Sequence, residues 1–182
     1  MKTHKLHLIL LASFIAVLLA GCYGTAGKSP DVSKSIRKSL DQAGLKDVSV
    51  SEDRDKGVVT LGGHVAADAD KAQAESIAKS MAAGQVVANQ IAVMPPGGES
   101  DAKAMNSDLD GGIENNLHAA LIQSRLQKTV KYEVKNGVVT LTGEVNSQSA
   151  RTQAEQIAAS VPNVQQVVND LQVKNQKASS SN

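Results

Sequence analysis

The sequence predicts an α+β chain of two tandem α-β-β-α-β modules, each a three-stranded sheet covered on one face by two helices. Three observations lead there. A repeat relates Gly57 to Val93 with Gly137 to Val173 at a fixed offset of 80 residues. Within each copy the apolar residues switch from helical spacing to strict alternation and back. The switches fall at Gly, Pro and Asp residues, where the backbone turns most readily.

The repeat comes first because it sets the number of units. Gly57-Val58-Val59-Thr60-Leu61 recurs as Gly137-Val138-Val139-Thr140-Leu141. Without a gap, Gly63 then matches Gly143, Val65 matches Val145, and Gln73-Ala74-Glu75 matches Gln153-Ala154-Glu155. The match closes with Val87, Asn89, Ile91 and Val93 against Val167, Asn169, Leu171 and Val173. Self-similarity of this length and phase marks two copies of one structural unit.

Each element follows from its period. In copy one, Val32, Ile36 and Leu40 recur every four residues and form one face of a helix. Ser29-Pro30 opens that helix and Gly44 stops it. Val48 and Val50 alternate as a strand, and the polar run from Asp53 to Gly57 turns the chain. Val59, Leu61, Gly63 and Val65 give a second strand, antiparallel to the first. Ala74, Ile77, Ala78 and Met81 return to helical spacing, and Val87 to Val93 is a third strand.

Copy two repeats the order. Its helices carry Ile113, Leu117, Ala120 and Leu121, then Ala154, Ile157, Ala158 and Val161. Its strands carry Val130 to Val134, Val139 to Val145 and Val167 to Val173. A sheet with one apolar face needs a cover, and the two amphipathic helices of each copy supply it. Copy one has the softer segments, with Gly62-Gly63 for Thr142-Gly143 and Ala82-Ala83-Gly84 for Pro162-Asn163-Val164, so copy two is expected to be the better packed.

The modules are thus expected at residues 29–94 and 113–174. Residues 95–112 hold Pro95-Pro96-Gly97-Gly98 and Gly111-Gly112 around a polar stretch with no apolar period, which reads as a flexible linker. The polar tail, residues 175–182, reads as disordered.

The N-terminus has the layout of an export signal. Lys2 and Lys5 precede an apolar run from Leu6 to Ala20, shorter than the roughly 20 residues that span a bilayer. Leu19-Ala20-Gly21-Cys22 then resembles the lipobox of bacterial lipoproteins. Residues 1–21 are therefore expected to be a cleaved signal peptide, Cys22 the lipidated residue, and residues 22–28 a short acylated tether. Cys22 is the one cysteine in the chain, so an intramolecular disulfide is excluded.

Composition narrows the function. Without Lys2 and Lys5, the 19 basic residues fall one below the 18 acidic ones, which does not point to a nucleic-acid partner. With no Trp, one Phe and two Tyr, stacking platforms for bases or sugars are not expected. His64 and His118 stand one per module, away from metal-ligand spacing, and read as surface residues. No nucleophile elbow or phosphate loop occurs. No enzyme activity, cofactor or metal is expected.

An α-β-β-α-β module with G-V-V-T-L-x-G-x-V at its centre and V-x-N-x-(I/L)-x-V at its end resembles the BON domain. The resemblance covers almost all of the chain after Cys22, twice. It implies a small non-enzymatic envelope module, thought to bind phospholipid or membrane surfaces and linked to envelope stress. Together with the lipobox, it looks most like the two-domain outer-membrane lipoproteins of that family. Tyr23 rather than Asp after the anchor implies the outer membrane, facing the periplasm. A periplasmic scaffold that binds envelope proteins is the alternative.

Individual residues carry further expectations. Gly63 and Gly143 sit mid-strand, where a crossing helix would need the space. Asn89 and Asn169 fall on the apolar phase of their strands, so each amide should bond structurally to a neighbouring loop. Leu117, Leu121, Ile122 and Leu126 are more apolar than one buried stripe needs, and Arg125, Lys128 and Lys131 follow. That combination suits contact with an anionic phospholipid surface. The same residues would also suit the end of a domain core beside a solvated basic edge.

Overall fold

The structure is a computed structural model and describes residues 28–174. It contains two modules of the same topology. Module one has α1 (Ser33–Gln42), β1 (Val48–Asp53), β2 (Val58–Val65), α2 (Asp68–Met81), β3 (Val86–Asn89) and β4 (Ala92–Val93). Module two has α3 (Glu99–Gln123), β5 (Val130–Lys135), β6 (Val138–Val145), α4 (Gln148–Ala159) and β7 (Gln166–Val173).

The sheet order follows from the connections. A short turn joins β1 to β2, so they pair antiparallel, with Val50 opposite Leu61. The helix α2 carries the chain back along the sheet, so β3 and β4 lie parallel to β2. In module two β5 pairs antiparallel with β6, and β7 runs parallel to β6 over its whole length. The third strand of module one is interrupted at Gln90 and Ile91, whereas β7 is continuous.

Each module closes its own core. Ile36 and Leu40 of α1 and Ala74 and Ala78 of α2 pack on Val59, Leu61 and Ile91. The matching cluster in module two holds Ile113, Leu117, Leu121, Ala154, Ala158, Val139, Leu141 and Leu171. Alanines on α2 and α4 let these helices lie close to the sheet.

The central glycines have a different cause from the one expected. Gly63 and Gly143 have φ of +86° and +117°, which a side chain rarely adopts. A Cβ at Gly63 would overlap the carbonyl oxygen of Asp47, and one at Gly143 that of Thr129. The neighbour is therefore the backbone leading into the adjacent strand, not a helix.

The segment between the modules is also not a flexible linker. Pro95-Pro96-Gly97-Gly98 forms one tight turn, with Gly98 N donating to Pro95 O at 3.0 Å and Gly97 at φ +81°. The helix α3 starts at Glu99, so residues 99–112 are its first turns. Glu99 and Asp101 suit its positive N-terminus. Asp110 accepts from the backbone N–H of Asn136 at 2.7 Å and of Gly137 at 2.8 Å, which fixes the helix to the β5–β6 turn. Tertiary bonds thus hold a helix that polar composition and a glycine pair alone would not favour.

The modules meet through the sheet faces away from their helices. Ala88, Val138 and Val168 are buried together, with Val58 against them. These are two pairs of equivalent repeat positions, Val58 with Val138 and Ala88 with Val168. Around them Lys56 pairs with Asp170 at 3.0 Å, and Asn136 Nδ2 donates to Gln90 O at 2.7 Å. Lys56 is the repeat equivalent of Asn136, and Gln90 of Asp170, so the same patch of each copy faces its counterpart. Gln166 breaks the symmetry: its side-chain amide donates to Val87 O at 2.6 Å and accepts from Asn89 N at 3.0 Å.

Candidate functional site

The residues singled out at the end of α3 separate into two groups. Leu117 and Leu121 are fully buried, and Leu126 is half-buried against the same core. Leu117 and Leu121 therefore fill module two and do not reach a membrane; the stripe that looked surplus belongs to the core. Ile122 is 47% exposed, one residue off that stripe. Arg125, Lys128 and Lys131 are exposed, and no described acidic side chain forms an ion pair with any of them.

Local backbone chemistry sets the path of the chain through this second group. At the end of α3, Arg125 N donates to Ile122 O at 3.0 Å and Leu126 N to Leu121 O at 2.9 Å. This pair of bonds closes a helix when the residue after the cap is left-handed, a place usually taken by glycine. Module one follows the rule: Gly44, φ +84°, stands there, with Leu45 N donating to Leu40 O at 2.9 Å. Module two puts Arg125 there at φ +58°, a conformation that costs a side chain about 1 kcal/mol. The next residues turn tightly, Thr129 N and Val130 N both donating to Leu126 O, and lead straight to Lys131. Arg125 and Lys128 thus follow exposed Ile122 within six residues at the negative end of the helix, while Lys131 stands on the face of β5 opposite the core-facing Val130 and Val134.

The two asparagines do structural work on helices rather than loops. Asn89 Nδ2 donates to Lys71 O at 3.3 Å and to Glu75 Oε2 at 2.9 Å, while its Oδ1 accepts from Ile91 N at 3.3 Å. Asn169 repeats the set with Arg151 O, Glu155 and Leu171 N. The partners lie on α2 and α4 because the strands pass beneath those helices. Hydrogen bonds from Lys79 and from Asn89 hold the Glu75 carboxyl below its ordinary range.

The remaining polar concavity lies beside α3 near the junction. It has a volume of about 420 Å³ and is lined by Lys103, Asn106, Asp110, Glu114 and Asn136 among others. Ser107 is the one hydroxyl there, and no histidine lines it. Lys71 borders a smaller void nearby, where burial lowers its pKa and its ammonium donates to Gln165 Oε1 at 3.2 Å. His64 and His118 are exposed, and no metal-ligating cluster occurs among the described residues. No described helix is long and apolar enough to cross a membrane. Cys22, its leader and tether, and the tail lie outside the described residues.

Sequence reasoning missed Lys56, Gln90, Asn136, Gln166 and Asp170 as junction residues. The signal was present: Val58, Val138 and Val168 put apolar side chains on the outer phase of strands that carry Thr60, Thr140, Thr142 and Asp170 on the same face, and Ala88 falls on that phase of β3. Arg125 left no such signal, because at the 80-residue offset Gly44 aligns with Ser124, and only the hydrogen bonds that end the two helices put Arg125 in the place of Gly44.

Comparison with known proteins agrees with this architecture. Residues 29–95 and 110–175 match the family model of the BON domain. Osmotically-inducible protein Y of Escherichia coli (strain K12) is 31% identical over 137 residues, which are 74% of this chain and 67% of that protein. Two solved structures of CdsD, a structural protein of the type III secretion system of Chlamydia trachomatis, superpose loosely. The one described as its C-terminal domain has TM-score 0.31 and 16% identity, covering 79% of this chain and 65% of that one. The other has TM-score 0.36 and 15% identity, covering 80% and 93%. Matched twice, with both copies built on one α-β-β-α-β plan, the chain belongs to the BON-domain family.

Proposed function

We propose that this chain is a non-enzymatic envelope lipoprotein, acylated at Cys22 and held at the outer membrane facing the periplasm. Its second module contacts anionic phospholipid through the exit of α3, and the protein supports membrane integrity under stress. The observation that carries the lipid contact is Arg125: it occupies a left-handed position that glycine would fill at less cost, beside exposed Ile122 and ahead of Lys128 and Lys131. A basic residue near an anionic surface contributes about 1 kcal/mol, so three give on the order of a hundredfold in partitioning. Two or three acyl chains on Cys22 would anchor the chain stably, so modest module affinity suffices at the resulting local concentration. The name of the E. coli relative supports a link to osmotic stress.

The test is co-sedimentation of residues 22–182 carrying Cys22→Ser with phosphatidylglycerol vesicles. Arg125→Glu, Lys128→Glu and Lys131→Glu together should abolish binding while circular dichroism is unchanged. Retained binding would remove this surface and favour the protein-scaffold alternative. Separately, Cys22→Ser in the full chain should move the protein from the membrane to the periplasmic fraction.

A further inference from the structure

The module junction joins like to like. Val58 and Ala88 of module one meet Val138 and Val168, their own equivalents in module two. In the polar rim Lys56 meets Asp170, while Asn136, the equivalent of Lys56, meets Gln90, the equivalent of Asp170. A surface built this way fits any second copy of its partner module as well as it fits its own.

The junction is held by Ala88, Val138, Val168 and Val58, the Lys56–Asp170 pair and the side-chain bonds of Asn136, Gln166 and Gln165, all of which another copy can supply unchanged. Each module's core cluster contains only residues of that module, so separation leaves both cores intact. The connection between the modules has one turn that can straighten, held by its backbone bond and by Gly97 N donating to Glu99 Oε1 at 3.0 Å. Met94 N is tied to Val65 O in module one, and Asp110 is tied to Asn136 and Gly137 in module two. Between them lies the Pro95–Gly98 turn. Straightening it lets α3, about 38 Å long, carry module two away as a unit.

The separated state has a defined need. Val87 O and Asn89 N, on the free edge of β3, lose the Gln166 amide that satisfies both. Unpaired edge groups of this kind seek a partner. The group that matches them in place and chemistry is Gln166 of another copy.

We propose that the chain pairs with a second copy by exchanging modules, so that module one of each copy packs on module two of the other. The partner is this same chain, and the contacts are those of the closed monomer.

The test uses charge reversal at the Lys56–Asp170 pair in residues 22–182 carrying Cys22→Ser. K56D sets an acid against Asp170 in its own chain, and D170K sets a base against Lys56. In an exchanged heterodimer of the two variants, every junction again holds opposite charges. Native mass spectrometry of an equimolar mixture should show the heterodimer at least tenfold above either homodimer. Folded variants that stay monomeric on mixing would overturn the proposal. Heterodimers and homodimers in equal amounts would also overturn it, since a side-by-side dimer does not sort by this pair. Should either variant lose its circular dichroism signal, unlabelled and ¹⁵N-labelled chains with the native pair are mixed instead. Mixed-mass dimers that form only as fast as the junction opens are then expected, and monomers alone overturn the exchange.

Discussion

Asn89 donates a hydrogen bond to Glu75 at 2.9 Å, and with it a strand is fastened to the helix above. The same amide also reaches Lys71 O and accepts from Ile91 N, so one buried side chain satisfies two backbone groups and a carboxylate. Asn89→Ala leaves those groups without their partner and should cost about 2–3 kcal/mol. Urea denaturation measures it. Asn169 makes the same bonds in a more exposed setting, so Asn169→Ala should cost less. Equal costs would show that burial does not set the penalty.

The Glu75 carboxyl gives module one an acid-sensitive element. Its pKa is lowered in the folded chain, by hydrogen bonds from Lys79 and from Asn89. A group with a depressed folded pKa contributes stability above its unfolded value, here 4.5, and loses it as pH falls through the folded value. The urea midpoint should therefore decline below about pH 4.5. Glu75→Gln should show a lower midpoint at neutral pH and a shallower decline. A variant whose midpoint follows the parent's at every pH would remove Glu75 from this role.

Glycines at two kinds of position should respond in opposite directions. Gly143 combines φ +117° with a carbonyl oxygen where a Cβ would stand, so Gly143→Ala should cost roughly 2–4 kcal/mol. Gly111 lies inside α3, and a Cβ there meets nothing within 4 Å. Gly111→Ala should raise stability by up to about 1 kcal/mol. Thermal unfolding of the two variants beside the parent checks both signs.

The architecture was legible because burial imposes a period. Ile36 and Leu40, or Val59 and Leu61, repeat at the spacing of the element that buries them, and the duplication read each element twice. The turns of α3 before Ile113 were not legible, because Asp110 is held by backbone groups 26 and 27 residues away and leaves no local pattern. The neighbour of Gly63 was misjudged for a related reason: alternation shows that a residue faces inward, not that the Asp47 carbonyl closes over it. At the candidate site, composition alone could not divide Leu121 from Ile122. Adjacent residues on a helix differ by about 100°, and here that turn separates the core from the surface.

Arg125 ties stability to the proposed lipid contact, and the two should move in opposite directions. Its left-handed backbone has the conformation of Gly44 in module one, where no Cβ opposes it. Arg125→Gly should therefore relieve up to about 1 kcal/mol of strain, partly offset by the greater freedom of glycine in the unfolded chain. The same change removes one of the three cations that follow Ile122 and should weaken binding to phosphatidylglycerol vesicles about fivefold. Arg125→Lys retains both the strain and the charge and should resemble the parent in unfolding and in binding. A glycine variant that is more stable and binds as before would mean that Arg125 serves neither the helix end nor the membrane, and the lipid contact would have to lie elsewhere on module two.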